Sequence, residues 1–74
     1  MSPAELQQTL FKQVKERLPA HVSLAEELAS VLGVSADSAY RRIRGEKPLD
    51  LGELALIARK YRVSVDGLLG KQAG

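Results

Sequence analysis

Residues 32–46 read LGVSADSAYRRIRGE, and this stretch sets three arginines within four positions, directly behind a short glycine turn. Gly33 and Gly45 bracket the run, and Ser35 stands where a helix would start. A serine there accepts a hydrogen bond from the first-turn amides, and a glycine just past a helix tolerates the left-handed backbone that ends it. The stretch therefore predicts one short helix, 36–44, with Ala39 and Ile43 inward. A preceding helix should be stopped by Gly33 and joined to it through the tight turn Gly33-Val34-Ser35. Ala29 is small, which lets the two helices cross closely, and Val34 and Ala39 close the corner.

The same signals recur along the chain. Ser2-Pro3-Ala4-Glu5, Ser23-Leu24-Ala25-Glu26 and Asp50-Leu51-Gly52-Glu53 each have the form of a capping box, the first with proline at the first helical position. Behind the first, Leu6, Leu10, Val14 and Leu18 form one apolar stripe with Phe11 beside it, ending before Pro19. Behind the second, Leu24, Leu28, Val31 and Leu32 face inward. The fourth helix runs through Leu54, Ile57, Ala58 and Tyr61, with Leu49 placed to staple onto Leu54. Ser64 caps a last short helix whose Leu68 can meet Val63. No segment alternates with period two over a useful length. The expected fold is an all-α, compact bundle of five helices in one domain over residues 1–70, with a helix-turn-helix motif at about 23–45 and a flexible tail at 71–74.

Seventy-four residues suffice for one domain with a thin core, about 60% of the unfolded-chain surface being buried at this size. There is no cysteine, which excludes disulfides and thiolate metal sites. The N-terminus lacks the order of a signal peptide, and the longest apolar run, LALIA at 54–58, is far short of a membrane span. A cytoplasmic setting is expected. The formal charge is only +2, but its placement is uneven. Residues 1–33 carry Lys12, Lys15 and Arg17 against Glu5, Glu16, Glu26 and Glu27. Residues 40–62 carry Arg41, Arg42, Arg44, Lys47, Arg59, Lys60 and Arg62 against Glu46, Asp50 and Glu53. A polyanion should land on this second half.

The segment ELASVLGVSADSAYRRIRGEKPLDLGELALIARKYRVSVDGLL resembles the DNA-binding domain of Cro and phage-repressor-type (lambda repressor-like) regulators, over about residues 23–69. The resemblance rests on Ala29 with Gly33-Val34-Ser35, on Gly45 closing the recognition helix, and on Leu54, Ile57 and Ala58 followed by Val63-Ser64-Val65-Asp66 and Leu68-Leu69. It implies a five-helix fold and double-stranded DNA binding in transcriptional control, the second motif helix entering the major groove. Many members carry glutamine at the start of both motif helices. Ala25 and Ala36 stand there in this chain, so base readout moves from Ala36 to other residues of the same helix.

At about 100° per residue the outward arc of helix 36–44 holds Asp37, Ser38, Arg41 and Arg44, with Tyr40 and Arg42 on the flanks. Arg41 and Arg44 are the candidate base readers, because arginine meets guanine O6 and N7 with two donors. Asp37, one turn before Arg41, can orient its guanidinium. Ser35, Ser38, Tyr40 and Lys47 are candidates for the phosphate backbone, and Arg42 for a packed stem with its head on a phosphate. Blander roles stand beside these: Ser35 as a cap, Asp37 as a helix-dipole partner, Tyr40 as packing, and the arginines as a solvated face.

Nothing in the sequence suggests catalysis, a metal or a cofactor. His21, the sole histidine, falls in a loop without a second imidazole or a thiol. The carboxylates are scattered and mostly serve caps, so an enzyme is not expected. A single short recognition helix reads few bases, so binding as a homodimer is expected. The competing reading is a protein-interaction module of the same fold, motivated by Leu56, which lies off the apolar face of its helix.

Overall fold

The computed structural model describes residues 2–68. Within them lie α1 (Pro3–Glu16), α2 (Leu24–Leu32), α3 (Ala36–Ile43) and α4 (Leu51–Tyr61), and residues 65–68 form a further helical turn. No strand occurs among the described residues. Leu69, Gly70 and the tail expected at 71–74 lie outside them.

Each helix begins where its cap predicts. The hydroxyls of Ser2, Ser23 and Ser35 accept from the backbone N–H of Glu5, Glu26 and Ser38, at 3.2, 3.3 and 3.1 Å. Ser64 does the same for Gly67 at 3.0 Å. A reciprocal capping box forms at Asp50–Glu53 alone among the described residues. There the Glu53 N–H donates to Asp50 Oδ1 at 2.7 Å and the Asp50 N–H donates to Glu53 Oε1 at 3.2 Å. At Ser2 the glutamate instead accepts from the serine hydroxyl, at 3.3 Å.

The ends follow the same chemistry. Gly33 closes α2 at φ +68 and Gly45 follows α3 at φ +82, both in the left-handed region. Arg62 takes that conformation at the end of α4 without being glycine, at φ 55. A Cβ at Gly33 would meet nothing, so that glycine is required by the turn alone. A Cβ at Gly45 would come within 3.1 Å of Ala4 Cβ and 3.2 Å of Ala4 O, so this glycine also lets α1 approach closely.

The core comprises Leu10, Phe11 and Val14 of α1, Leu28 of α2, Ala39 of α3, Ile57 and Tyr61 of α4, and Val63 and Leu68 beyond. Leu6, Leu18, Leu24, Ile43, Leu49 and Leu54 pack around it, partly buried. The expected apolar faces are all represented. Ala25 is buried as well, while Leu24 is only partly so. The α3 helix packs most extensively on α2 and is also touched by α1, and α4 packs on α2.

One residue departs from its expected place. Arg42, read as a flank residue reaching a phosphate, is 5% exposed and is the one buried charged residue among those described. It lies inward because a carboxylate waits there, on Glu53 at the start of α4, 2.9 Å away.

Candidate nucleic-acid interface

The inward side of α3 is fastened at three levels. Ala39 is wholly buried in the core, and Ile43 packs partly against it. Between them the Arg42 guanidinium donates from Nε and Nη2 to the two carboxylate oxygens of Glu53, at 3.2 and 2.9 Å. Its Nη1 donates back to the Ser38 carbonyl at 3.1 Å and to the Ser38 hydroxyl. Glu53 thus serves two ends at once, as cap partner of Asp50 and as counter-ion of Arg42. A two-point contact of this kind fixes orientation as well as distance.

The C-terminal end of α3 is held by α1. Gln7 Nε2 donates to the carbonyls of Arg42 and Lys47, both at 2.7 Å, and Gln7 Oε1 accepts from the Leu49 N–H at 3.1 Å. Gln8 Nε2 donates to the Arg44 carbonyl at 2.7 Å. The N–H groups of Glu46 and Lys47 both turn back to the Arg41 carbonyl, at 2.8 and 3.2 Å. Carbonyls at a helix C-terminus otherwise lack partners, and here two adjacent glutamines of α1 supply them. Sequence reading missed both residues.

What remains outward is the predicted arc, with one adjustment. Asp37, Arg41 and Arg44 are exposed and share the surface with Tyr40, itself 51% exposed. Ser38 is only partly exposed because its hydroxyl accepts from Arg42, which leaves its own hydrogen free to donate. Ser35 and Ala36 are exposed at the N-terminus of α3, and Lys47 is exposed on the loop after it. Eight of the nine expected residues are therefore exposed or partly exposed along α3, its cap and the loop after it, and Arg42 is buried.

The two outward arginines of α3 and its C-terminal end are each paired with a carboxylate. Asp37 Oδ2 lies 3.3 Å from Arg41 Nε, as the one-turn spacing predicts. Glu46 Oε2 accepts from Arg44 Nε at 2.5 Å, and the Tyr40 ring centre lies 5.7 Å from the Arg44 guanidinium carbon. The hydrogen bond to Glu46 raises the Arg44 pKa above its ordinary value. The same bond, with the Arg44 charge behind it, holds the Glu46 carboxyl below the usual carboxylate range. Lys47 has no ion-pair partner among the described residues.

The rest of the basic half lies elsewhere. Arg59 and Lys60 of α4 border a groove with Ser30, Val31 and Leu56, and no residue of α3 lines it. The cations counted together in the sequence therefore divide into a buried one, a group on α3 and its loop, and a group on the later turns of α4. No described helix is long and apolar enough to cross a membrane.

A helix, a tight glycine turn and a second helix whose outward arc is polar and cationic sit within a small all-helical domain. The family model of the BetR domain matches residues 6–74, and the chain belongs to the BetR domain family. The match extends through α1 and takes in Gln7 and Gln8. It agrees with DNA binding at the level of class. No curated protein matches the chain, and no solved structure does.

Proposed function

We propose that this chain binds double-stranded DNA sequence-specifically, as the reading domain of a transcriptional regulator of the Cro and phage-repressor type. It inserts α3 into the major groove, acts as a homodimer and performs no catalysis. The observation that carries the reading is the mounting of α3. Its inner side is held by Ala39, by the Arg42–Glu53 pair and by the Gln7 and Gln8 contacts, while Arg41 and Arg44 stand outward. A reader must hold its donors still while presenting them.

In this reading Arg41 and Arg44 meet base edges. Lys47, Ser35, Ser38 and Tyr40 meet the backbone. The exposed cations of this surface are Arg41, Arg44 and Lys47, three per protomer. If about five to seven phosphates are neutralised on a cognate site, log K against log salt should fall with a slope near −5. The test is selection of duplexes from a random pool, followed by salt titration on the selected site. An inverted repeat with half-sites about 34–36 Å apart and a slope near −5 is expected. Absence of binding to any duplex at low salt would sink this reading.

A second reading, a protein-interaction module, is favoured by one observation. Leu56 is 47% exposed in the groove beside Val31, Arg59 and Lys60. It predicts a partner on that groove and no salt-dependent affinity for duplex DNA.

A further inference from the structure

Both candidate base readers meet a carboxylate of their own chain, and both are met on the same edge. Asp37 approaches Arg41 at Nε, and Glu46 accepts from Arg44 at Nε. No hydrogen bond from the terminal nitrogens of either arginine occurs among the described residues. The guanidinium fork has two usable edges for two-point recognition, and here the carboxylate has taken one. The Tyr40 ring lies near the Arg44 guanidinium, so Arg44 meets a ring and a carboxylate while its terminal pair makes no hydrogen bond among the described residues.

We infer that Glu46, with Asp37 as the weaker counterpart, is a specificity-determining residue. It suppresses attachment of Arg44 to phosphate on arbitrary DNA while presenting the arginine's terminal nitrogens to guanine. This inference rests on the DNA-reading function proposed above.

The argument lies in what each kind of complex rewards. On random duplex the attraction is Coulombic and scales with net positive charge at the surface. An arginine neutralised by its neighbour adds little to it. A carboxylate that stays near the backbone is also repelled there. On a cognate site the gain comes from directed hydrogen bonds to O6 and N7, which the terminal nitrogens can make while Nε keeps its carboxylate. Holding the side chain in place also reduces the rotamer freedom lost on binding. The same carboxylate therefore lowers affinity for wrong sites without lowering it for the right one, and specificity is that difference.

Three features of the local structure support the assignment. Glu46 follows directly on Gly45, whose φ of +82 turns the chain back toward α3. The Glu46 N–H is anchored to the Arg41 carbonyl at 2.8 Å, so the residue's position does not depend on its side chain. Lys47, next in the chain, has no such partner and remains free to supply unspecific attraction.

The test uses the full chain, a selected cognate duplex and a scrambled one, with Glu46→Gln and Asp37→Asn. Glu16→Gln on α1 makes the same change of charge away from this cluster. For Glu46→Gln, affinity for scrambled DNA should rise about two- to fivefold at low salt and its salt slope should steepen by about 0.9. Cognate affinity should stay level or fall, so the cognate-to-scrambled ratio drops. Asp37→Asn should move the ratio in the same direction by less. Glu16→Gln should shift both duplexes by one common factor. Thermal melts will show each variant folded, since Glu46, Asp37 and Glu16 are all exposed. An unchanged ratio in Glu46→Gln, or equal tightening on both duplexes, overturns the inference while leaving DNA reading intact. If the unaltered chain binds no duplex at all, the DNA reading itself has failed, and this inference with it.

Discussion

The guanidinium of Arg42 and the carboxylate of Glu53 meet through two hydrogen bonds, at 3.2 and 2.9 Å, and this pair joins the inner side of α3 to the first turn of α4. Both side chains are largely withdrawn from water, Arg42 almost fully. Desolvating two ions offsets much of their attraction, so such a pair contributes orientation more reliably than net stability. Removing one partner is another matter, because the other is then left uncompensated. Arg42→Ala should destabilise the domain by about 3 kcal/mol, and Glu53→Ala by a similar amount with the lost cap added. Arg42→Met combined with Glu53→Gln should recover most of that loss. Urea unfolding of the three variants decides it; a double variant as unstable as the singles would show that the pair is a net source of stability.

Gly33 and Gly45 share a left-handed backbone but differ in surroundings, and substitution should separate the two effects. Gly33→Ala carries only the conformational strain, on the order of 1–2 kcal/mol. Gly45→Ala adds a contact with Ala4, so it should be worse by roughly 1 kcal/mol or more, and Ala4→Gly should relieve part of the excess. At Arg62 the reverse change is expected, Arg62→Gly raising stability by up to about 1 kcal/mol. Thermal melts of these variants provide the check. Equal losses at Gly33 and Gly45 would contradict the close approach of α1.

Tyr61 offers a titration. Burial first, then the charge of Glu27 and the hydrogen bond its hydroxyl donates to Glu27 Oε1 at 3.3 Å, push its pKa up to about 12. A pKa raised above the unfolded value of ~10 means that the neutral form stabilises the fold. That contribution is complete below pH ~10 and is lost as pH rises through about 12. In ultraviolet absorbance the Tyr61 phenolate should appear near that upper value, and Tyr61→Phe should delete this step. A Tyr61 step at the ordinary tyrosine value in the folded chain would contradict its burial against Glu27.

How far the sequence carries depends on the range of the interaction. The helix starts at Ser2, Ser23, Ser35, Asp50 and Ser64 were legible because a cap is a contact over three residues. Gly33 and Gly45 were legible because backbone strain is local. The Asp37–Arg41 pair and the exposure of Leu56 followed from helical spacing alone. Arg42 was not, because it sits at the edge between the two faces of α3. A long side chain there turns toward its counter-ion, and Glu53 lies eleven residues on. Gln7 and Gln8 gave no signal: their partners are backbone groups 35 to 42 residues away, which no residue type announces. The two halves of the basic segment were merged for the same reason, since composition does not say which face a charge occupies.

Dimer formation can be tested at Leu56. A two-fold contact across this residue would set Arg59 and Lys60 near their own copies, because such an interface pairs like with like. Association in solution should therefore strengthen with added salt, which screens that repulsion. If Leu56 does carry the dimer, Leu56→Lys should yield a monomer by sedimentation and roughly halve the cognate salt slope. A variant that still binds two per site places the dimer surface elsewhere.

The last prediction separates reading from holding on the α3 surface. Arg41 and Arg44 stand outward with their terminal nitrogens unengaged, whereas Lys47 lies past Gly45 on the loop that Gln7 ties down through the Lys47 carbonyl. A two-point contact to a base is lost with its arginine and nothing else in the site replaces it. Arg41→Ala or Arg44→Ala should weaken the cognate complex about 5- to 150-fold and relax preference at one base position. Lys47→Ala should weaken cognate and scrambled duplexes alike and reduce the salt slope by about one. None of the three should unfold the domain, because each side chain is exposed and the backbone bonds to Gln7 and Gln8 survive its removal. Titrations on both duplexes, with melts beside them, measure all of this at once. If both arginine variants bind the cognate duplex like the unaltered chain, α3 does not read bases through this arc.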